Sequence, residues 1–262
     1  MKDLNYKFFG KGKKTLVFLH GLLGFWRNFY SISQAFTQNY KCLLYDQRGH
    51  GLSKHKAPYT IETLSKDLKA LLSFLKQESV ILIGHSLGGY VSSYFAYKES
   101  SLVEKLVLVD CCPWPKKEIQ ENIIHLLQML PDSFNNRESA KVFFDEKVKQ
   151  GLLSQSMSFF LMANLEKKLE EPISFLFDKT GLLNVPKTVR QINYDFFLKG
   201  LAIPTLCLRG ENSHHFSKSE WKKTIQLNPL IQGIEIPKSG HWVHSQQAKT
   251  FIKVLKTFLN KT

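Results

Sequence analysis

The chain of 262 residues is long for one domain yet ordinary for an α/β fold carrying an insertion. Its 43% hydrophobic against 22% charged residues fit a globular protein with a sizeable core. No stretch approaches the ~18 apolar residues of a membrane span, and the N-terminal MKDLNYKFFGKGKK has no apolar leader, so a cytoplasmic protein is expected. The net charge of +14 argues less for nucleic acid than its size implies, because residues 113–200 carry 12 Lys/Arg against 11 Asp/Glu and the rest is scattered in pairs such as Lys13-Lys14 and Lys222-Lys223.

Six short apolar runs follow in chain order, each ending in a polar or glycine-bearing signature. TLVFLH ends at His20-Gly21, KCLLYD at Asp46, VILIG just before Ser86, KLVLVD at Asp110, TLCLRGE at Glu211, and GIEIPKSGH at His241. Continuous Val/Leu/Ile runs indicate strands buried on both faces, as in a parallel sheet. Between them, IETLSKDLKALLSFLKQ (61–77) places Leu64, Leu68, Leu71, Leu72 and Leu75 on one helical face, with Thr60 as N-cap. Alternating strand and helix predicts an α/β, doubly wound, mostly parallel sheet, in which ligands bind beyond the carboxyl ends of the strands. Cysteines 42, 111, 112 and 207 read as small core residues of a reduced protein, without metal-ligand spacing.

The alternation breaks between Pro113 and Gly200, where no buried-strand run occurs. KKEIQENIIHLLQML, RESAKVFFDEKVKQ, SMSFFLMANLEKKLEE and VPKTVRQINYDFF each read as a helix. Residues 1–112 and 201–262 are therefore expected to form the core, with 113–200 as an inserted helical lid. Lid core is the commoner fate of Phe143, Phe144, Phe159 and Phe160; Phe143 and Phe144, together with Trp242, are the candidates for a lid pocket.

The segment VILIGHSLGGYVSSYFAY (80–97) hems Ser86 between glycines where a strand gives way to a helix. That turn leaves a hydroxyl exposed near a helix N-terminus, which favours developing negative charge, so Ser86 is the candidate nucleophile. A serine nucleophile needs a base and the base an orienting carboxylate. His241 follows the last strand and hangs over the same sheet edge; His244 is expected inside the first turn of the final helix, pointing elsewhere, and His214 and His215 in solvent. For the acid, Asp110 is favoured over Glu211, because the loop after TLCLRGE, the common place for it, holds Ser213 and no aspartate. The order Ser86, Asp110, His241 keeps the nucleophile–acid–base sequence. Oxyanion donors are expected from the backbone N–H groups of Leu87 and of Leu22 in HGLLGF. His20, Asp46, Arg48 and His50 are expected to brace loops rather than do chemistry.

Taken together, FLHGLLGF, YDQRGHGLS, GHSLGG, LVLVDCCPWP, LCLRGENS and SGHWVH resemble the α/β-hydrolase family from about residue 14 to the C-terminus. The likeness is nearest to small bacterial esterases and thioesterases whose acid follows the sixth strand and whose catalytic histidine is followed by Trp, here Trp242; that branch lacks an aspartate in the GENS loop, which supports Asp110. A looser resemblance runs to the carrier-protein methyl ester esterases of biotin synthesis, such as those acting on a pimeloyl carrier. The lid departs from the esterase branch and leaves the substrate open. The resemblance implies a serine hydrolase cleaving carboxylic esters or thioesters through an acyl-Ser86 intermediate, without metal or cofactor. The expected partner is a small acyl ester or thioester, with an acyl carrier protein as a further candidate and neither nucleic acid nor a membrane span. A cofactor-free lyase or C–C hydrolase on the same fold, and a non-enzymatic small-molecule receptor, are the alternatives.

Overall fold

The computed structural model describes residues 3–167 and 172–260. Its strands are β1 (Tyr6–Phe9), β2 (Lys14–Leu19), β3 (Tyr40–Tyr45), β4 (Val80–His85), β5 (Val103–Val109), β6 (Ser133–Phe134), β7 (Ile173–Ser174), β8 (Thr205–Gly210) and β9 (Ile231–Ile236). Seven of them form one sheet in the order β1-β3-β2-β4-β5-β8-β9. The six strands expected from apolar runs all pair in parallel. The sequence did not announce β1, which runs antiparallel to β3 with Tyr6 opposite Tyr45 and Phe9 opposite Cys42. It is a four-residue edge strand without a fully buried position, so no apolar run marks it.

Side chains alternate across the sheet into two apolar layers. Leu16 and Phe18 of β2 join Phe29 and Phe251 on one face, whereas Val17 and Leu19 join Leu68 and Val91 on the other. Each such fully buried side chain contributes about 1.5–3 kcal/mol of transfer free energy. The first face is covered partly by the short α1 (Tyr30–Gln34), through Ile32. On the second lie α2 (Ile61–Phe74), which starts where Thr60 Oγ1 accepts from Thr63 N at 3.1 Å, and α3 (Leu87–Lys98).

Between β5 and β8 the chain forms α4 (Lys117–Met129), α5 (Arg137–Lys149), α6 (Gln155–Ala163), α7 (Val185–Arg190) and α8 (Tyr194–Gly200), with β6 and β7 paired antiparallel among them. Two differences from expectation have local causes. The helix expected over 156–171 stops at Ala163, after which Leu165 bridges Phe175; its predicted end at 168–171 lies outside the described residues. The single helix expected over 185–197 is two, because Asn193 turns its side chain to cap Phe196 N at 3.1 Å and restarts the helix. After β8 come α9 (Lys218–Gln226), α10 (Val243–Gln246) and α11 (Ala248–Leu259). All four cysteines are buried and free. Among the described residues no helix is long and apolar enough to cross a membrane.

Candidate active site

Parallel strands share one direction, so the residues that end β4, β5 and β8 collect at one edge of the sheet. At the end of β4 the backbone reverses through Ser86 at φ 50° and ψ −114°, a region that costs a non-glycine residue on the order of 1–3 kcal/mol. The flanking glycines make the turn possible by close approach. A Cβ on Gly84 would lie 2.3 Å from the Gly88 carbonyl oxygen, and one on Gly88 would lie 2.3 Å from that of Leu19. The elbow is tied to the next strand by Ser86 N donating to Val109 O at 3.1 Å. Leu87 opens α3, so its N–H has no intrahelical acceptor. Among the described residues neither it nor the Leu22 N–H donates to a protein acceptor.

The HGLLGF loop carrying Leu22 is held by buried polar contacts. His20 Nδ1–H donates to Gly21 O at 2.8 Å while Nε2 accepts from Gln47 N at 2.9 Å. His50 Nε2 accepts from Leu23 N at 3.1 Å, and the Asp46 carboxylate accepts from Trp26 N and Leu52 N at 2.7 and 3.0 Å. Arg48 forks onto Asp67 with two bonds of 2.7 Å. Burial lowers the pKa of His20 and of His50, which keeps both neutral and able to accept.

Asp110 ends β5, also at positive φ (48°), and is 2% exposed. Its Oδ2 lies 2.7 Å from His241 Nδ1, its Oδ1 accepts from Gly210 N at 3.0 Å, and Ser213 Oγ donates to Oδ2 at 2.5 Å. Burial pushes the carboxyl up to about 6, against the opposing bonds from Ser213 and Gly210. Burial, with a smaller contribution from the His244 ring, lowers the His241 pKa, so the imidazole is a neutral base at pH 7. Glu211 instead accepts from Lys238 N at 2.9 Å through an exposed carboxylate and makes no bond to His241 among the described residues. Ser213, in the loop after β8, thus anchors the candidate acid Asp110 at the end of the neighbouring strand.

Ser86 and His241 border two adjoining cavities. The larger, about 380 Å³, runs past Phe160 and Met157 of α6 and Trp242; the smaller, about 60 Å³, lies between α4 and α7. Ser86 Oγ makes no hydrogen bond among the described residues, and the residue lines both spaces.

Several positions differ from expectation. Phe143 and Phe144 line neither cavity: they pack on Phe134 at 5.6 Å each, with Phe144 also on Phe175, as the apolar centre of the helical segment. The aromatic wall is made by Trp242 with Phe160, ring centroids 5.8 Å apart, together with Phe159, which is exposed rather than packed in the helical centre. His215, expected in solvent, stacks on His241 at 3.9 Å and 14°, whereas His214 is exposed. His244 sits in the separate short α10, buried against Phe29 at 4.4 Å, and lines the larger cavity with no contact to Asp110. His85 is a residue that sequence reasoning missed. Its Nε2–H donates to the His241 carbonyl oxygen at 2.9 Å, holding the backbone that carries the candidate base. As the variable position of G-x-S-x-G, it carried no signal of that role.

Comparison with known proteins identifies the family. The profile of the alpha/beta hydrolase fold family matches residues 14–248. The chain is 33% identical to the sn-1-specific diacylglycerol lipase ABHD11 of Danio rerio, covering 98% of this chain and 82% of that one. It is 30% identical to a putative esterase/lipase of Haemophilus influenzae, over 98% and 88% of the two chains. Among solved structures it is similar to a marine microorganism esterase, with a TM-score of 0.85 at 25% identity over 98% of this chain and 100% of that one.

Proposed function

The chain belongs to the α/β-hydrolase family, and from that premise we propose that it is a serine hydrolase of carboxylic esters, thioesters included, working through an acyl-Ser86 intermediate. Relatives named as lipase and esterase support the reaction class. The observation that carries the mechanism is the 2.7 Å bond from His241 Nδ1 to buried Asp110, over a cavity shared with a serine on a strained strand–helix turn.

In this reading, His241 Nε2 takes the Ser86 hydroxyl proton as Oγ bonds to the acyl carbon. The resulting imidazolium is stabilised by Asp110, and the oxyanion by the N–H groups of Leu22 and Leu87. Collapse breaks the bond to the leaving alcohol or thiol, which receives the proton from His241. Water then adds to the acyl carbon, gives its proton to His241, and the acyl–Oγ bond breaks with the proton returning to Ser86. The cytoplasmic assignment belongs to the same proposal, supported by four buried free thiols.

The test is labelling with a fluorophosphonate and turnover of 4-nitrophenyl esters, with Ser86→Ala as control. The expected result is labelling, turnover, and a loss of ~10³-fold or more in the variant with its thermal unfolding unchanged. A variant within tenfold of the parent overturns the serine mechanism; labelling without turnover favours a receptor on this fold.

A further inference from the structure

The small cavity has a feature that the hydrolytic machinery does not use. α4 runs past both spaces: Leu126 borders the larger, Ile123 borders both, and Ile119 and Gln120 border the smaller. Gln120 is 7% exposed, yet its side-chain amide has no hydrogen-bond partner among the described residues. The other polar side chains on this part of the wall are satisfied. Tyr90 OH donates to Cys112 O at 2.9 Å, and the Lys116 ammonium pairs with Glu220 at 3.0 Å. The amide atoms are not among the sealed, unpartnered polar atoms of the core, so they stay open to a probe the size of water. An unpartnered amide on the wall of a cavity that Ser86 also borders is placed to bind something that enters.

We propose that Gln120 is the specificity residue of this cavity, and that the cavity takes a short acyl group bearing a neutral hydroxyl or keto oxygen. The proposal rests on the reading of Ser86 as nucleophile. A volume of about 60 Å³ has room for about four to six water-sized groups, which limits the acyl chain. The amide offers both donor and acceptor, so it pairs with a ketone or a hydroxyl. A carboxylate fits poorly, because the charge of Lys116 is already matched by Glu220 and a buried anion needs an unmatched cation. Gln120 lies three residues, a rise of about 4.5 Å, from Ile123, which borders both cavities as Ser86 does. The oxygen is therefore sought partway along the acyl chain, and a 4-oxo group tests that position.

The test compares 4-nitrophenyl 4-oxopentanoate with 4-nitrophenyl 4-methylpentanoate, esters of nearly the same shape that differ in the polar atom, after subtraction of enzyme-free rates. The aromatic leaving group is too large for the small cavity, which leaves that space to the acyl group. The native protein should prefer the keto ester in kcat/KM by about tenfold, and Gln120→Met, which keeps an unbranched side chain without the amide, should prefer the methyl ester. A native ratio at or below one overturns the assignment without any variant. A ratio unchanged in Gln120→Met, both esters losing equally, also overturns it and leaves the Ser86 reading intact. Turnover of neither ester by the native protein, with no fluorophosphonate labelling, overturns the Ser86 reading and this assignment with it.

Discussion

At the carboxyl ends of β4 and β5 two non-glycine residues, Ser86 and Asp110, hold φ of 50° and 48°, whereas no described non-glycine residue between 113 and 200 has a positive φ. The sheet edge tolerates strain because the backbone around it is over-determined: Ser86 N binds Val109 O, and Asp110 N binds Leu208 O at 2.8 Å. The helical segment has relaxed backbone and is joined through aromatic contacts such as Phe134 with Phe144 and Phe175. Rigid, strained geometry thus sits where atoms must meet within tenths of an ångström, and ordinary apolar packing where a substrate has only to be enclosed. The difference teaches that changes at the edge should act on rate, and changes in the helical segment on binding or stability.

The largest contrast lies within the edge itself. Asp110→Asn should cut kcat by ~10²- to 10⁴-fold by allowing the wrong His241 tautomer, while Glu211→Gln should stay within a few-fold. Steady-state kinetics on one ester decides it, and the reverse ranking moves the acid to the loop after β8.

The helical segment supplies the second contrast. Phe160→Ala removes part of the large cavity's wall and should raise KM about tenfold for a bulky ester with little change in kcat. Phe144→Ala empties a fully buried site away from both cavities and should cost about 3–5 kcal/mol in denaturant unfolding, with KM nearly unmoved while the protein is folded. Equal effects on KM would erase the division between wall and packing.

A smaller effect separates the acid from its support. The proposed mechanism needs Asp110 ionised, and burial pushes its carboxyl up to about 6, so kcat/KM should fall as pH drops through about 6. The Ser213 hydroxyl bond favours the charged carboxylate. Ser213→Ala therefore raises the pKa and should move the acid limb to higher pH, lowering activity several-fold at pH 6 and little at pH 8. A pH profile that does not move shows that Ser213 does not tune the acid.

The smallest expected effect concerns the net charge of +14. Between 20 mM and 500 mM NaCl, where screening shortens to a few ångströms, kcat/KM for an acyl-carrier thioester and for a neutral ester should change in parallel. A steep fall for the carrier substrate alone would assign the basic surface to an acidic protein partner.

Much of this protein was legible in its sequence because the signals are local. Six buried apolar runs defined six parallel strands, since a strand covered on both faces has no polar alternation to confuse it. Gly84 and Gly88 marked the turn at Ser86 because close backbone approach excludes any Cβ there. Ser86, from its glycine-flanked turn, and Asp110 and His241, from their strand ends, were candidates that the structure brings to one sheet edge, with Asp110 2.7 Å from His241. β1 escaped because an edge strand of partly exposed residues has no such run, and the sorting of the aromatics failed because Phe143 and Phe160 share composition and periodicity, so only packing assigns one to the helical centre and the other to the cavity.

What only the tertiary structure decided are relations between distant segments. Ser213 binds Asp110 across 103 residues, and His85 holds the His241 carbonyl across 156. The stacking of His215 on His241, and the shared cavity of Gln120 and Ser86, likewise require a loop and a helix to arrive at one edge of the sheet. Periodicity and turn chemistry encode what each segment does with its own backbone, because those energies depend on neighbours within about four residues. Which side chain finds which partner depends on how the sheet twists and the helices dock, and that is set by the packing of the whole core.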